Sequence, residues 1–245
     1  FPIAVKLRED SPDWLLELVC RVIRHGSGVA AVYNENLVVQ ALVEFGYSLQ
    51  EARRFANDGC WGVQLAGQTY FAYRPMDAYG PFQQQVLGLP EDEPDYDSFE
   101  ALYERTLSVL YDQVDDWQHQ ADGFIQKDRP ASVVGLLTDD CIDRGKDYFS
   151  GGARYNVYSP HMGGIPDIVN SLYAIKKLVF EEKRLSFREL MAILKADWEG
   201  EELLRQYALH RYSYFGNDND EVDALASDLT RRYIDRVRLV KERCG

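Results

Sequence analysis

The sequence predicts a helix-rich α/β fold in which a few short, buried strands lie between helices. Three observations predict it. Apolar residues recur at helical spacing over several stretches that open on Ser, Asn or Pro. Short apolar runs lie between them, and the continuous run Val29–Tyr33 suits a strand covered on both faces, as in a parallel sheet or barrel. No repeat at a fixed period is present. The 245 residues are enough for one large domain or two small ones, and they read as one domain, 1–245.

Taken in order, Ser11 and Pro12 open the first helix, with Ser11 as N-cap. Trp14, Leu15, Leu18, Val19, Val22 and Ile23 form its apolar stripe, and Gly26 ends it. After the Val29–Tyr33 strand, Asn34 caps a helix that Gly46 stops. Ser48 and Glu51 have capping-box spacing, and their helix runs to about Ala56. Residues 63–73 read as a strand, a turn at Gly67 and a second short strand. A loop with one short helix covers 75–89, and Pro90–Asp95 is an acidic surface linker. A long amphipathic helix spans 99–124. Pro130 starts another, with Val133, Val134, Leu137, Cys141 and Ile142 inside. Gly151 and Gly152 lead into a strand at 153–158. Pro166 opens a helix to about Glu182, Ser186 and Glu189 form a second capping box, and a final helix begins near Asn217 and reaches Lys241.

A net charge of −13 and a pI near 4.8 argue against nucleic acid, whose binding rests on Lys and Arg, and against an anionic membrane surface. No signal-peptide pattern opens the chain and no apolar run is long enough to span a bilayer. The four cysteines, Cys20, Cys60, Cys141 and Cys244, are scattered. They read as free thiols in a reducing cytoplasm. The chain starts at Phe1 and ends at Gly245, which suggests a piece of a longer polypeptide.

Few constellations carry chemistry. Asp139 and Asp140 lack a third metal ligand at helical spacing, so no metal site is expected. His25, His119, His161 and His210 have no relay partners nearby, and Ser27 and Ser159 lack a nucleophile-elbow setting. Gly163 and Gly164 before a helix start, and Gly151 and Gly152 beside Arg154, read as turns or helix stops rather than anion sites. One feature stands apart. In Asn57-Asp58-Gly59-Cys60-Trp61-Gly62 a cysteine sits between two glycines, after a helix and before an apolar aromatic run. Such a turn presents a side chain to a cavity, although a small buried cysteine is the alternative.

Three blocks together resemble the glycyl radical enzymes, the pyruvate formate-lyase-like family. The first runs from Gly28 through Val-Ala-Ala-Val-Tyr-Asn-Glu, an apolar helix and Gly-Tyr-Ser-Leu-Gln-Glu-Ala-Arg to Asn-Asp-Gly-Cys-Trp at 57–61. The second is Asp139-Asp140-Cys141-Ile142-Asp143-Arg144-Gly145 with Gly151-Gly152-Ala153-Arg154-Tyr155-Asn156. The third is Asn170 to Phe180. The resemblance implies part of a ten-stranded α/β barrel ringed by helices. It assigns Cys60 the thiyl radical that takes hydrogen from a small polar substrate, in lyase, dehydratase, decarboxylase or acyltransferase-like chemistry. Trp61, Gly62, Tyr70, Phe71 and Tyr73 would line the pocket, sealed from oxygen and solvent as anaerobic radical chemistry requires. The glycyl radical would lie in a missing C-terminal region and be installed by a radical-SAM activating enzyme. The largest departure is that no Arg-Val-x-Gly-Tyr-like glycine radical motif appears in this chain, and the others lie at the cysteine. Many eliminases and decarboxylases of the family carry a Glu acid/base two residues after the cysteine, where this chain has Gly62. The pyruvate formate-lyases proper carry two adjacent cysteines, and Gly59 precedes Cys60 here. Asp58 is a candidate substitute base, with turn bonding as its other reading. The rival expectation is a truncated or divergent non-catalytic relative, a half-barrel that binds a partner. A thiol-redox role lacks a resolving cysteine nearby. Exposed strand edges would favour self-association or pairing with the remainder of the parent chain.

Overall fold

The computed structural model describes residues 2–26, 28–58, 61–89, 94–120 and 130–244. The described fold is α/β and rich in helix, and the chain forms two compact units. Unit 1 takes residues 1–72 and 125–158, and unit 2 takes 73–124 and 159–245.

Unit 1 begins with β1 (Ile3–Leu7), α1 (Asp13–Arg24) and β2 (Ala30–Asn34). The two strands pair in parallel, with Ile3 opposite Ala30 and Leu7 opposite Asn34, so α1 is the crossover of a βαβ unit. The parallel setting expected of Val29–Tyr33 is therefore present, and the partner strand β1 was not legible in the sequence. The cap of α1 also differs from expectation. Pro12 is the N-cap residue, while Ser11 Oγ accepts from the Arg8 N–H at 2.9 Å and closes the turn before the helix. Of the expected α1 stripe, Val19 is buried while Trp14, Leu18 and Ile23 are exposed.

Asn34 Oδ1 accepts from the Leu37 N–H and starts α2 (Glu35–Glu44), and Gly46 stops it at φ +100°. The Ser48–Glu51 box forms reciprocally and launches α3 (Leu49–Ala52). That helix is shorter than predicted, because the chain turns extended at β3 (Ala56–Asn57), which pairs antiparallel with β4 (Val63–Gln64). Gly67, at φ +73°, then turns the chain into β5 (Thr69–Asp77). Ala31, Tyr33, Phe55 and Leu65 make the core of this unit.

The helix predicted from Pro130 through Ile142 ends early, as α6 (Ser132–Leu136). Thr138 Oγ1 donates to the Val134 carbonyl and Asp140 takes φ +70°, so the chain coils into turns. Cys141 is buried, whereas Val133, Leu137 and Ile142 are more than 60% exposed. At the Gly151-Gly152 turn a Cβ on Gly152 would collide with the Lys146 carbonyl. The strand that follows, β6 (Tyr155–Gly163), pairs with β5, and the boundary between units falls within both strands.

Unit 2 is helical. It contains α4 (Tyr79–Pro81) with a wide π turn at Phe82–Val86, and α5 (Phe99–Gln120). It continues with α7 (Ile165–Ile175), widened into a π turn at Lys176–Glu181, then α8 (Phe187–Lys195), α9 (Glu202–Arg211) and α10 (Asp220–Cys244). The second capping box, Ser186 with Glu189, forms as the sequence predicts. The residues assigned to the acidic linker at 90–93, and the end of the long helix beyond 120, lie outside the described residues. Phe82, Leu102, Leu107, Ile168, Leu172, Phe187 and Leu229 are almost wholly buried and join these helices. Polar clips bind α10 to its neighbours. Arg236 pairs with Asp115, and Tyr103 donates to Asp228 at 2.8 Å. Among the described residues, no helix is long and apolar enough to cross a membrane.

Glu221 at the start of α10 is the polar hub of unit 2. It accepts from Lys176 at 2.7 Å and Tyr173 at 3.2 Å, and pairs with Lys177 at 2.6 Å. Burial opposes its charge, but the two lysines prevail and hold its carboxyl down at about 2. Its pKa is therefore lower folded than unfolded, where carboxyls titrate near ~4.3. Its stabilisation is present above that value and is lost as pH falls toward about 2. Urea midpoints measured from pH 5 to pH 2.5 should fall more steeply for the wild-type chain than for Glu221→Gln.

Candidate functional site

The stretch around Cys60 is framed from both sides by the β3–β4 hairpin. Asn57 stands opposite Val63 in its ladder, and the Asp58 N–H donates to the Gly62 carbonyl at 3.1 Å. Gly59 and Cys60, the expected thiyl residue, lie outside the described residues. Their flanks are anchored. Tyr33 is buried in β2, with its ring edge-on to Phe55, and its hydroxyl donates to the Trp61 carbonyl at 3.1 Å. Asn57 donates to the Pro2 carbonyl at 3.4 Å, which ties the other leg to the segment entering β1. The residue beside the cysteine is therefore held by its backbone, and the Trp61 side chain is 54% exposed.

At Gly62 the constraint is space. Its backbone is not left-handed, so its dihedral does not demand glycine. A Cβ built there would lie 2.8 Å from Asp58 Oδ2, 3.1 Å from Asp58 Cγ and 3.0 Å from Phe71 Cζ. The Asp58 carboxylate and the Phe71 ring thus occupy the volume that a side chain at 62 would need. Of the predicted site residues, Asp58, Gly62 and Phe71 come together here. Tyr70, the residue before Phe71 on β5, points to the opposite face as strand alternation requires. It is 3% exposed and packs edge-on against Tyr148 at 4.8 Å and Phe149 at 5.5 Å. Burial, with Tyr148 adding to it, pushes its hydroxyl pKa up. The side chain of Tyr73 lies outside the described residues.

A charged frame holds α3, which feeds the hairpin. Glu51 Oε2 closes the capping box with Ser48 and accepts from the Tyr155 hydroxyl at 3.0 Å. Arg154 donates twice to Asp140 Oδ1, at 2.9 and 3.2 Å, and lies 3.7 Å from Glu51 and 3.4 Å from Asp139. Its hydrogen bonds hold the Asp140 carboxyl below its usual range, with Arg144 assisting. Gln68 donates to Asp139 at 3.0 Å and Tyr155 N–H donates to the Gln68 carbonyl at 3.0 Å, so the frame reaches the start of β5. Asp139 and Asp140 are thus arginine partners. Among the described residues, no three His, Cys, Asp or Glu side chains are grouped to hold a metal. Sequence reasoning missed Tyr33, Tyr148 and the second role of Glu51. Tyr33 carried the one available signal, a hydroxyl inside an otherwise apolar strand.

Two other cysteines have described side chains. Cys141 is buried, and burial followed by Asp147 pushes its thiol pKa up. Cys20 is exposed on α1.

A family model described as pyruvate formate lyase-like matches residues 2–79 and 80–245. Among relatives, trans-4-hydroxy-L-proline dehydratase of Clostridioides difficile is 29% identical, over 98% of this chain and 33% of its own length. The (2S)-3-sulfopropanediol dehydratase of Klebsiella oxytoca is also 29% identical, over 91% of this chain and 29% of its own. Among solved structures, the glycerol-bound B12-independent glycerol dehydratase of Clostridium butyricum superposes with a TM-score of 0.75. It is 27% identical, over 96% of this chain and 32% of that one. The chain spans about a third of the length of these proteins.

The Tyr33 bond sets the position of Trp61, so Tyr33→Phe should cost about 0.5–1.5 kcal/mol on unfolding. Hydrogen exchange at the Asp58 amide should speed up while exchange in α2 stays unchanged.

Proposed function

The chain belongs to the pyruvate formate lyase-like family, and from that premise we propose that it is the part of a glycyl radical lyase or dehydratase that supplies the thiyl residue, Cys60. The observation that carries the reading is the β3–β4 hairpin, closed by the Asp58–Gly62 bond and held by Tyr33 at the residue after Cys60. The two other cysteines with described side chains do not compete for the role, since Cys141 is packed with a raised pKa and Cys20 rides on an exposed helix. The type of reaction follows the relatives, two of which are dehydratases of small hydroxylated compounds, with an isethionate sulfite-lyase of Desulfovibrio desulfuricans at 28% identity. The neighbours of Cys60 in sequence are Gly59 and Trp61, so no adjacent thiol is present to take an acetyl group, which favours elimination over acyl transfer.

The glycyl radical would come from the part of the parent protein outside this chain, after installation by a radical-SAM enzyme, and it supplies one thing: removal of the hydrogen atom from the Cys60 thiol. The close-packed neck suits a radical passed between protein loops. One added carbon at residue 62 would already meet Asp58 at 2.8 Å and Phe71 at 3.0 Å. Cys60 then takes hydrogen from a substrate carbon and returns it at the end, because S–H and activated C–H bonds are of similar strength. Phe71 contributes an apolar wall on the face that Gly62 occupies. The parallel β1–β2 pair and the β5–β6 pair would form part of a ten-stranded barrel that the remainder of the parent chain completes.

A second reading, a non-catalytic half-barrel, draws on the exposed apolar side chains of α1 and of residues 133–142. Their proposed cover is the remainder of the family fold, since the relatives are about three times as long as this chain.

One experiment separates the two readings. The full-length parent protein, activated without oxygen by its radical-SAM partner, should develop a glycyl radical signal. Cys60→Ser should keep that signal and lose turnover. No signal favours the half-barrel reading, and turnover that survives Cys60→Ser removes the thiyl assignment.

A further inference from the structure

We propose that Lys6 recognises an anionic group of the substrate, so that the protein takes a small molecule carrying a carboxylate or sulfonate rather than a neutral polyol. The inference rests on the radical lyase reading and deepens it by naming the substrate class.

Three observations carry it. The first is the setting of the cation. Lys6 lies inside a strand, β1, and is partly buried. The parallel ladder sets it opposite Tyr33 of β2, so the two side chains share one face of the sheet. Both meet Phe55, which is 1% exposed. The Lys6 ammonium lies 3.9 Å from the centre of the Phe55 ring, and the Tyr33 ring stands edge-on to it at 5.7 Å.

The second is charge. Arg8, just past the end of β1, pairs with Asp10 at 3.0 Å and reaches Glu35 at 3.9 Å. Lys6 differs. Among the described residues no carboxylate lies within ion-pair distance of its ammonium, and the Phe55 ring is its partner. An ammonium has three donors, and a ring face meets it from one side. A lysine drawn partly out of water without a carboxylate is uncommon, because a ring returns only part of the lost hydration. A bound anion supplies that counter-charge. With a net charge of −13 the chain as a whole repels anions, so an anionic substrate needs a local cation.

The third is position. Parallel α/β folds bind their ligands at the carboxyl ends of the strands. Lys6 and Tyr33 are each the last residue but one of their strands. The Tyr33 hydroxyl donates to the Trp61 carbonyl at 3.1 Å, so one aromatic side chain links the strand pair to the hairpin. A fixed cation there holds the charged end of a small molecule and leaves its uncharged end free to react. A carboxylate from the remainder of the parent chain would offer the same chemistry, and the experiment tells the two sources apart.

Binding is measured by calorimetry on the full-length protein without activation, so the readout needs no radical. Isethionate and trans-4-hydroxy-L-proline are the anionic probes, and glycerol and 1,2-propanediol the neutral ones. The wild type should bind one anionic probe at least about tenfold more tightly than either neutral probe. Lys6→Met keeps the length of the side chain and removes its charge. It should weaken the anionic probe by about ten- to a hundredfold, the range for a hydrogen bond to a charged group, and leave the neutral probes within about threefold. Lys6→Arg, which restores the charge, should recover most of the loss. A merely structural lysine would instead move the unfolding midpoint and weaken both classes alike. Equal or tighter binding of the neutral probes, no binding of either anionic probe, or anionic binding in Lys6→Met within about threefold of wild type would each overturn the proposal. Unchanged binding with a lowered unfolding midpoint would overturn it in favour of a carboxylate from the remainder of the parent chain. Absence of a glycyl radical after activation would bring down the lyase reading and leave the binding results standing.

Discussion

The arrangement around Cys60 depends on one exclusion of volume: the Asp58 carboxylate, the edge of Phe71 and the backbone of Gly62 meet where a side chain at 62 would stand. A side chain at 62 would have to displace the Asp58 carboxylate and the tip of the Phe71 ring. The contact crowds a glycine whose backbone is not left-handed. The backbone bond from Asp58 to Gly62 and the Tyr33 bond to Trp61 keep the two flanks in register, so the exclusion acts at a defined place.

The hairpin is in turn held by groups remote in sequence. Glu51 caps α3 and takes the Tyr155 hydroxyl, Arg154 bridges Glu51 to Asp140 and Asp139, and Gln68 joins Asp139 to the strand that carries Phe71. Single exposed ion pairs contribute little, but a network in which each arginine donor has a carboxylate fixes geometry more than it adds free energy. Blocks 48–51, 139–144 and 151–156 of the family resemblance thereby acquire a physical role. They meet in one frame around the helix that leads to Cys60.

Much of this was legible where the signal is local. The boxes Ser48–Glu51 and Ser186–Glu189, the Asn34 cap and the turns at Gly46 and Gly67 follow from side chains that reach their own backbone a few residues away. The family was legible from the order of its blocks, and its model covers the chain. What was not legible depended on distant partners. β1 is a strand because β2 lies beside it, and Lys6 interrupts its apolar pattern while stacking over Phe55. α9 has no clean apolar face, with Leu203 89% exposed, so periodicity did not announce it. The helix predicted through Ile142 stopped at Leu136, since Thr138 bonded back to Val134 and Asp140 was drawn out of helical geometry, where Arg144 and Arg154 bind it. At the site, composition marked Asp58, Gly62 and Phe71 separately. Their contact required the antiparallel register of β3 with β4.

A double-mutant cycle on folding stability tests the shared volume most directly. Gly62→Ala in the wild-type background should cost about 1–3 kcal/mol, the range for forcing an extra carbon into a packed site. In an Asp58→Ala background the same substitution should cost at least about 1 kcal/mol less, since only Phe71 then crowds the new carbon. Costs that agree within about 0.5 kcal/mol in the two backgrounds would mean that Asp58 does not occupy the space of residue 62, and would contradict the account.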